Sequence, residues 1–242
     1  MSDSEDEAVE RQLKIVIVGE AGSGKTCLAS RYCHDEFTRQ YFPTAGVDFF
    51  LKRTVLSGAG NITLQIWDVG GQSLAGNMLD KYIFGADVSK RQSVTTINVI
   101  LLVFDITNIV SFDSLEEWLD TIRKVTVSQE PQPMIAVVAN KCDLEHKRKV
   151  RPDRQHKFSQ ENGLSSHLVS ARTGEMVALS FHKIVADVLG LKLSRAEQEE
   201  QQPLMQAEIL HSPATTAVTD AHSLASSHVP PGASKSAVCE IQ

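Results

Sequence analysis

Eight residues near the start of the chain combine three glycines, a lysine and a threonine at fixed spacing. They are Gly19-Glu20-Ala21-Gly22-Ser23-Gly24-Lys25-Thr26, and they fit the pattern G-x-x-x-x-G-K-[ST] between a predicted strand and a predicted helix. Glycines let successive backbone N–H groups curl around an anion, and a helix N-terminus adds partial positive charge. The ammonium of Lys25 can reach β- and γ-phosphates, and the Thr26 hydroxyl can bind Mg²⁺. The pattern predicts a phosphate-binding loop; taken alone, it also fits an ordinary glycine turn.

A second polar and glycine-rich segment follows the predicted strand Ile62–Trp67. Its sequence is Asp68-Val69-Gly70-Gly71-Gln72. An aspartate at the end of a strand can hold Mg²⁺, commonly through a water. Gly71 leaves its N–H free to turn toward a γ-phosphate, and Gln72 can orient an attacking water without being a strong base. By itself this segment favours an ordinary turn.

A third motif, Asn140-Lys141-Cys142-Asp143, follows the predicted strand Met134–Ala139. The carboxylate of Asp143 can accept hydrogen bonds from N1–H and N2–H₂ of guanine, a pair of donors that adenine lacks. Asn140 can bridge loops, and the stem of Lys141 can lie along the base. Four residues are weak evidence alone, because a polar loop can have the same sequence.

The order of the motifs decides between these alternatives. A fourth motif, Ser170-Ala171-Arg172, follows the short predicted strand His167–Val169, and the N–H of Ala171 can donate to guanine O6. All four motifs lie at the C-terminal ends of predicted strands, where open α/β sheets bind ligands. Four motifs that occur in this order, each at the end of a predicted strand, favour one guanine-nucleotide site over four unrelated turns.

The elements that position these motifs are predicted from apolar periodicity. Continuous β-branched and apolar runs are typical of strands buried on both faces, and apolar residues three or four apart are typical of helices. The predicted strands are Leu13–Val18, Val47–Ser57, Ile62–Trp67, Val99–Phe104, Met134–Ala139 and His167–Val169. The predicted helices include Lys25–Cys33, Phe112–Val125 with Ser111 as N-cap, and Met176–Leu189. This alternation predicts an α/β fold with a mostly parallel sheet covered on both faces.

Composition and net charge indicate how many domains the chain forms and which classes of partner are disfavoured. The 242 residues are 42% hydrophobic and carry a net charge of -6, which favours one globular domain and argues against nucleic acid as a partner. We predict an acidic disordered tail over residues 1–11, a nucleotide-binding domain over 12–190, and a flexible tail over 191–242 with a frayed helical start at Ser194–Gln201.

The cysteines and the apolar runs bear on location. Cys27, Cys33, Cys142 and Cys239 form no paired framework, which is typical of a reduced, cytoplasmic setting. The apolar run Val99–Phe104 is far too short to span a bilayer. Any membrane contact is therefore expected to depend on a covalent lipid.

Over residues 12–189 these motifs resemble the Ras superfamily of small GTPases. Rab-like signatures are Ala45-Gly46-Val47-Asp48-Phe49, Tyr82-Ile83-Phe84-Gly85-Ala86 and Leu102-Val103-Phe104-Asp105-Ile106-Thr107. The segment Trp67–Gln72 also resembles the Arf family, but Arf proteins carry glycine after the initiator methionine, and this chain has Ser2. The resemblance therefore favours the Rab family. It implies a P-loop NTPase G domain with a six-stranded, mostly parallel sheet flanked by five helices and disordered termini.

The resemblance also implies roles for individual residues. Tyr41-Phe42-Pro43-Thr44 resembles switch I, in which Thr44 binds Mg²⁺ when GTP is present, and Phe37 stacks on guanine. Thr26, Thr44 and Asp68 are the implied Mg²⁺ set, and Gln72 and Lys25 are the implied catalytic residues. The implied nucleotide contacts are Gly19, Ala21, Gly22, Ser23, Gly24, Lys25, Thr26, Cys27, Phe37, Tyr41, Thr44, Gly71, Asn140, Lys141, Asp143, Ser170, Ala171 and Arg172. The ligands are GTP and GDP with Mg²⁺. The implied partners are an exchange factor, a GTPase-activating protein and effectors that read the switch state.

Three features depart from the family pattern. Ala21 replaces a glycine or serine, and its methyl group beside the γ-phosphate is expected to slow hydrolysis. Ser73 replaces the usual glutamate of switch II. Residues 88–98 are about eleven residues that the family lacks, and we predict an extruded inserted loop away from the nucleotide.

Ala21 and this segment motivate an alternative function, a hydrolysis-deficient GTP-binding scaffold or adaptor. A P-loop ATPase or nucleotide kinase is a third alternative, which Asn140–Asp143 disfavours.

The chain ends in Cys239-Glu240-Ile241-Gln242, which fits the CaaX pattern with a terminal residue that favours farnesyl. From Ser194 onward only Arg195 and Lys235 are lysine or arginine, so no polybasic patch is present and one prenyl chain gives weak and exchangeable membrane binding. We therefore predict a cytoplasmic protein that is peripherally bound to membranes through Cys239 and carried by a prenyl-binding chaperone, with a switch role in vesicle traffic.

Overall fold

Strands that are apolar on both faces form the frame of the protein. The computed structural model describes residues 11–73, 79, 97–127 and 130–200. Six strands form one sheet, and their bounds are β1 (Arg11–Val18), β2 (Val47–Leu56), β3 (Gly60–Val69), β4 (Ile97–Asp105), β5 (Met134–Asn140) and β6 (Ser165–Leu168). The spatial order is β2-β3-β1-β4-β5-β6. Only the β2–β3 hairpin is antiparallel, and every other pairing is parallel. The predicted six-stranded, mostly parallel sheet is confirmed.

Six α-helices are present in the described part of the chain, against five predicted. Their bounds are α1 (Lys25–His34), α2 (Ile109–Asp113), α3 (Leu115–Thr126), α4 (Pro152–Asn162), α5 (Val177–Val188) and α6 (Arg195–Glu200). A 3₁₀ turn covers Cys142–Lys147. The predicted helix Phe112–Val125 is divided at Ser114, which separates α2 from α3. The predicted N-cap Ser111 is wrong: Asn108 caps α2 by accepting from the Val110 N–H, and Ser111 lies inside α2, where its hydroxyl donates to the Asn108 carbonyl. No helix among the described residues combines the length and apolar character needed to cross a bilayer.

The core has two layers, one on each face of the sheet. Alternating residues of β1 divide between them: Leu13, Ile15 and Ile17 face α1 and α5, whereas Val16 and Val18 face α3. A strand with apolar neighbours on both faces needs a continuous apolar run, which is the pattern that LKIVIV shows. Each such side chain contributes about 1.5–3 kcal/mol when it is fully buried.

Helix α1 is fixed on the sheet by an aromatic stack. The ring of Tyr32 lies parallel to that of Phe181 on α5, with ring centroids 4.0 Å apart. Leu28 and Ala29 of α1 are fully buried beneath it. The orientation of α1 matters for function because the helix begins at Lys25, directly after the predicted phosphate loop.

Some element boundaries differ from the sequence prediction. Strand β1 begins at Arg11, which the sequence assigned to the N-terminal tail, because Arg11 pairs with Ile62 of β3. Strand β4 begins at Ile97, so the last two residues of the predicted insertion 88–98 belong to the sheet and pair with Leu13 and Lys14. Residues 88–96, the signature Tyr82–Ala86 and most of the predicted tails, Cys239 included, lie outside the described residues.

The start of the predicted C-terminal tail contacts the β2–β3 hairpin. The Ser194 hydroxyl accepts from the Glu197 N–H at 3.2 Å, and the Glu197 carboxylate accepts from the Ser194 N–H at 2.8 Å. This reciprocal pair is a capping box that begins α6. The same carboxylate accepts from the Ser57 N–H in the hairpin turn at 3.1 Å. Hydrogen bonds from Ser57 and Ser194 lower the pKa of Glu197 to about 2, so Glu197 is ionised at neutral pH.

Candidate nucleotide-binding site

One cavity of about 630 Å³ lies at the C-terminal ends of the parallel strands. This is the edge at which open α/β sheets bind ligands. Fifteen of the eighteen predicted nucleotide contacts line it: Ala21, Gly22, Gly24, Lys25, Thr26, Cys27, Phe37, Tyr41, Thr44, Gly71, Asn140, Lys141, Asp143, Ala171 and Arg172. The fold therefore brings all four sequence motifs to the same cavity.

The phosphate loop forms a curled turn with Lys25 folded under it. Gly19, Gly22 and Gly24 have φ angles of 135°, 75° and 92°, in the left-handed region that favours glycine. The Lys25 ammonium donates to the carbonyls of Gly19 at 2.9 Å and Glu20 at 3.0 Å. These bonds use two of its three N–H donors. Burial lowers the pKa of Lys25, and the charges of Asp68 and Glu20 oppose that effect.

Two glycines of the second motif are required by close backbone contacts. A side chain at Gly71 would collide with the backbone N of Ala21, and one at Gly70 would collide with the carbonyl O of Thr44. The Gly70 N–H also donates to the Gly46 carbonyl at 2.8 Å. The segment after β3 therefore packs against both the phosphate loop and the segment before β2.

Three oxygens converge beside the phosphate loop. The Thr26 hydroxyl donates to Asp68 Oδ2 at 2.5 Å and lies 2.9 Å from the Thr44 hydroxyl, which is itself 3.4 Å from Asp68 Oδ2. Asp68 is fully buried, and its second oxygen, Oδ1, has no hydrogen-bond partner among the described residues. Burial raises the pKa of Asp68, against hydrogen bonds from Thr26 and the charge of Lys25. Clustered oxygens and an unpartnered carboxylate oxygen fit a Mg²⁺ ion, whose charge would compensate the desolvation.

Asn140 joins three loops at the bottom of the cavity and is only 1% exposed. Its amide Nδ2 donates to the Ser23 carbonyl of the phosphate loop at 2.9 Å. Its Oδ1 accepts from the Ala171 N–H at 3.0 Å and from the Lys141 N–H at 2.8 Å. A side chain at Gly24 would collide with this amide nitrogen, so the loop must have glycine there. The Ala171 N–H, predicted to meet guanine O6, is thus held at Asn140; its contact with guanine stays a prediction.

The Asp143 carboxylate lies at the other end of the cavity. Its Oδ1 accepts from the Ser170 hydroxyl at 2.7 Å, and its Oδ2 is 3.6 Å from the Arg172 guanidinium. These contacts orient the carboxylate and leave its edge on the cavity. Lys141, in the left-handed conformation at φ 71°, bridges the two ends: its ammonium contacts the Gly22 carbonyl at 2.9 Å and Asp105 at 2.8 Å.

The remaining predicted residues differ in how close they lie to the cavity. Phe37 is half-buried and lines it, and Tyr41 also lines it while 62% exposed. Gln72 is exposed and follows the lining residue Gly71. Gly19, Ser23, Asp68 and Ser170 are buried behind the cavity wall and act on it through their neighbours. The Cys27 thiol lies 3.8 Å from the Thr38 carbonyl, and burial raises its pKa.

Sequence reasoning missed two residues that shape this site. Arg31 donates to the backbone carbonyls of Ala171 and Arg172, and Asp105 pairs with Lys141. Asp105 ends strand β4, and its place at a strand end was the available signal. The role of Arg31 could not be predicted, because its partners are backbone carbonyls, which every residue has whatever its side chain.

Comparison with known proteins agrees with this geometry. A sequence model of the Ras family matches residues 14–190. Ras-related protein Rab-28 of Caenorhabditis elegans is 37% identical over 212 residues, which cover 88% of this chain and 81% of that protein. Rab-10 of the same species is 35% identical over 73% of this chain and 80% of its own length. Rab-13 of Bos taurus is 31% identical over 182 residues, which cover 75% of this chain and 82% of that protein.

The chain belongs to the Ras family, whose members are small GTPases that bind and hydrolyse GTP. The three relatives named above are all Rab proteins, which confirms the predicted Rab-type resemblance and the GTP-binding switch function. Members of the family bind GTP and GDP, generally with Mg²⁺, and work with regulators and effectors.

The position of Asn140 leads to the first prediction. Asn140→Ala leaves the Ser23 carbonyl and the Ala171 N–H without their partner in a buried place, so it is expected to reduce the free energy of unfolding by about 3 kcal/mol. Urea unfolding in EDTA measures this, because no bound nucleotide then adds to stability.

Asn108→Ala is the matched control. It removes the N-cap of α2, remote from the cavity, and is expected to cost about 1 kcal/mol. If Asn140→Ala costs no more than this control, Asn140 does not hold the three loops together.

Proposed function

We propose that this chain is a Rab-type GTPase switch of membrane traffic whose nucleotide is held by the residues described above. One observation carries the proposal: Lys25 and the oxygens of Thr26, Thr44 and Asp68 converge at one end of the cavity that has Asp143 at its other end. A guanosine polyphosphate has the matching distribution, with anionic oxygens at one end and a pair of N–H donors at the other.

At the phosphate end the chain supplies main-chain N–H groups and one buried ammonium. Binding needs little rearrangement of the loop, because Gly19, Gly22 and Gly24 already hold their left-handed conformations. Thr26, Thr44 and Asp68 would hold Mg²⁺, which would neutralise charge on the β- and γ-phosphate oxygens. Lys25 gives these oxygens a further positive charge from beneath the loop.

At the base end the chain supplies an oriented carboxylate. Asp143 accepts hydrogen bonds from guanine N1–H and N2–H₂, while its contact with Ser170 keeps it from rotating. The half-buried ring of Phe37 stacks on the base, and the stem of Lys141 covers its other face. Adenine would place an acceptor, its N1, against this partly buried carboxylate, so the selectivity for guanine follows from the unpaired polar groups that adenine would leave.

Hydrolysis depends on a water that Gln72 orients toward the γ-phosphate. Gln72 is exposed, and its neighbour Gly71 packs on Ala21, so the glutamine lies at the phosphate loop. Intrinsic turnover is slow, because Gln72 is a weak base and a GTPase-activating protein must stabilise the transition state. The Ala21 methyl group makes it slower still.

Switching depends on the segment before β2. Thr44 reaches the Mg²⁺ set from this segment, and the Gly70 N–H donates to the Gly46 carbonyl, so loss of the γ-phosphate contacts releases both switch segments together.

Exposed apolar side chains lie in the same part of the chain. Tyr41 and Phe42 are 62% and 67% exposed, and Phe49, Leu51 and Val55 of β2 are also exposed. An exposed apolar patch of this kind is typical of a partner-binding surface, and we assign it to effectors.

The membrane contact is assigned to Cys239. A single farnesyl chain gives weak, reversible binding, which suits a cytoplasmic protein that cycles on and off membranes with an exchange factor and a prenyl-binding chaperone. We place the GTP-binding domain at residues 12–190, extended at its start by Arg11 of β1, with the preceding residues and 191–242 as its tails. The predicted insertion 88–98, whose last two residues belong to β4, leaves nucleotide binding intact.

Replacement of Gln72 tests the hydrolytic part of this proposal. Gln72→Leu removes the hydrogen bond to the attacking water, so single-turnover GTP hydrolysis, on the order of 10⁻⁴ s⁻¹ in the unmodified chain, is expected to fall about tenfold. The control Gln65→Leu makes the same change in the middle of β3, where the side chain contacts Gln12, and keeps the full rate.

Two outcomes would contradict the proposal. Equal rates for Gln72→Leu and the unmodified chain remove Gln72 from the mechanism. If the unmodified chain binds GTP but shows no hydrolysis even with cell extract, the scaffold alternative replaces the GTPase. Competition with ATP in the same assay must leave bound GTP in place; displacement by equimolar ATP contradicts guanine selectivity.

The lipid anchor is tested by cell fractionation. Cys239→Ser is expected to move the protein from the membrane pool to the soluble pool, because serine cannot carry the prenyl thioether. The matched variant Gln242→Leu keeps the cysteine but favours the longer geranylgeranyl chain, and each added buried CH₂ contributes about 0.8 kcal/mol. It is expected to enlarge the membrane pool. A membrane pool that persists in Cys239→Ser contradicts the assignment.

A further inference from the structure

We propose that Arg31, at the C-terminal end of α1, is a positioning residue for guanine recognition: its guanidinium holds the carbonyl of Ala171 and so limits the movement of the residue whose N–H is predicted to meet O6 of the base. The inference rests on the proposed function, since it assumes that guanine occupies this end of the cavity. It goes beyond the sequence motifs, none of which includes Arg31.

The guanidinium of Arg31 makes four hydrogen bonds. Its Nε donates to the Ala171 carbonyl at 2.9 Å, and one terminal nitrogen donates to the Arg172 carbonyl at 2.9 Å. The other terminal nitrogen donates to the carbonyl and to the carboxylate of Asp35, each at 2.8 Å. The Arg31 side chain is 16% exposed; its bond to the Ala171 carbonyl is partly buried, and its other three hydrogen bonds are exposed to water. A planar guanidinium can hold two adjacent carbonyls at fixed angles, which a single ammonium cannot.

Ala171 is held from both sides by side chains of other elements. Asn140 accepts from its N–H at 3.0 Å, and Arg31 donates to its C=O at 2.9 Å. The residue before it, Ser170, is fixed by the Asp143 carboxylate. The peptide planes on both sides of Ala171 are thereby fixed, and its N–H is directed at the Asn140 oxygen. Both Ala171 and Asn140 line the cavity.

Helix α1 thereby connects the two ends of the site. It begins at Lys25 and Thr26 beside the phosphate loop, and Arg31 lies six residues after Lys25, about 9 Å along the helix axis. Asp35 closes the helix in the left-handed conformation at φ 57°, and its N–H bonds to the Arg31 carbonyl at 3.0 Å. This turn brings both Asp35 acceptors to the guanidinium. Helix α1 and Arg31 are therefore a second connection between the phosphate loop and the Ala171 loop, beside the one that Asn140 makes.

Base analogues separate this role from a general contribution to stability. GDP and IDP both have O6, whereas 2-aminopurine riboside diphosphate lacks O6 and the N1–H but keeps the N2 amino group. In Arg31→Gln the dissociation rates of GDP and IDP are expected to rise about tenfold, the effect of one weakened hydrogen bond to O6. The dissociation rate of the 2-aminopurine nucleotide is expected to change less than twofold. Ribose-labelled fluorescent forms of the three nucleotides, displaced by excess GDP in Mg²⁺, give these rates.

Two further variants make the test specific. Arg31→Lys keeps the charge at the end of α1 but cannot hold both carbonyls, so it is expected to keep most of the defect of Arg31→Gln. Asp35→Asn removes the exposed ion pair, tolerates the left-handed conformation, and is expected to match the unmodified chain.

The outcomes separate this inference from the function on which it rests. Equal acceleration of all three nucleotides in Arg31→Gln, or full rescue by Arg31→Lys, overturns the positioning role and leaves the GTPase proposal intact. Failure of the unmodified chain to bind GDP overturns the proposed function itself. Selective acceleration of GDP and IDP in both Arg31 variants supports the inference.

Discussion

A buried side-chain amide holds the site together. Asn140 contacts the phosphate loop, its own loop and the last base-recognition loop, and it has almost no exposed surface. Three backbone groups depend on it, and each would cost about 1–3 kcal/mol if it were left unpaired in the interior. The glycine at position 24 is required by the same amide. Residues far apart in the sequence thus have their positions set by one group at the end of β5.

Charge is the second constraint on this arrangement. Lys25 and Asp68 are both buried, and neither is fully compensated by the protein, because Asp68 Oδ1 has no partner among the described residues. Such groups are costly in a fold unless a ligand completes them. A polyphosphate with Mg²⁺ supplies negative charge to Lys25 and positive charge to Asp68 together. Binding of this ligand is therefore expected to stabilise the segments that carry these two residues, and its loss to release them.

Much of the fold followed from the sequence, because parallel strands buried on both faces need continuous apolar runs such as Leu13–Val18. The phosphate loop was equally predictable, because the left-handed backbone conformation at positions 22 and 24 favours glycine. Other features had no such signal. Strand β4 begins at Ile97 because Ile97 and the polar Asn98 pair with β1, so register rather than hydropathy sets its start. The role of Arg31 was invisible, because its acceptors are backbone carbonyls about 140 residues away.

The nucleotide content of purified protein tests the central claim most directly. Protein prepared in Mg²⁺ is denatured, and the released nucleotides are separated by chromatography and quantified against protein. The account predicts about one guanine nucleotide per chain, lost on prolonged treatment with EDTA and regained when GDP and millimolar Mg²⁺ are added back. Well-folded protein that carries no guanine nucleotide and takes up none from excess Mg²⁺ and GDP would contradict it.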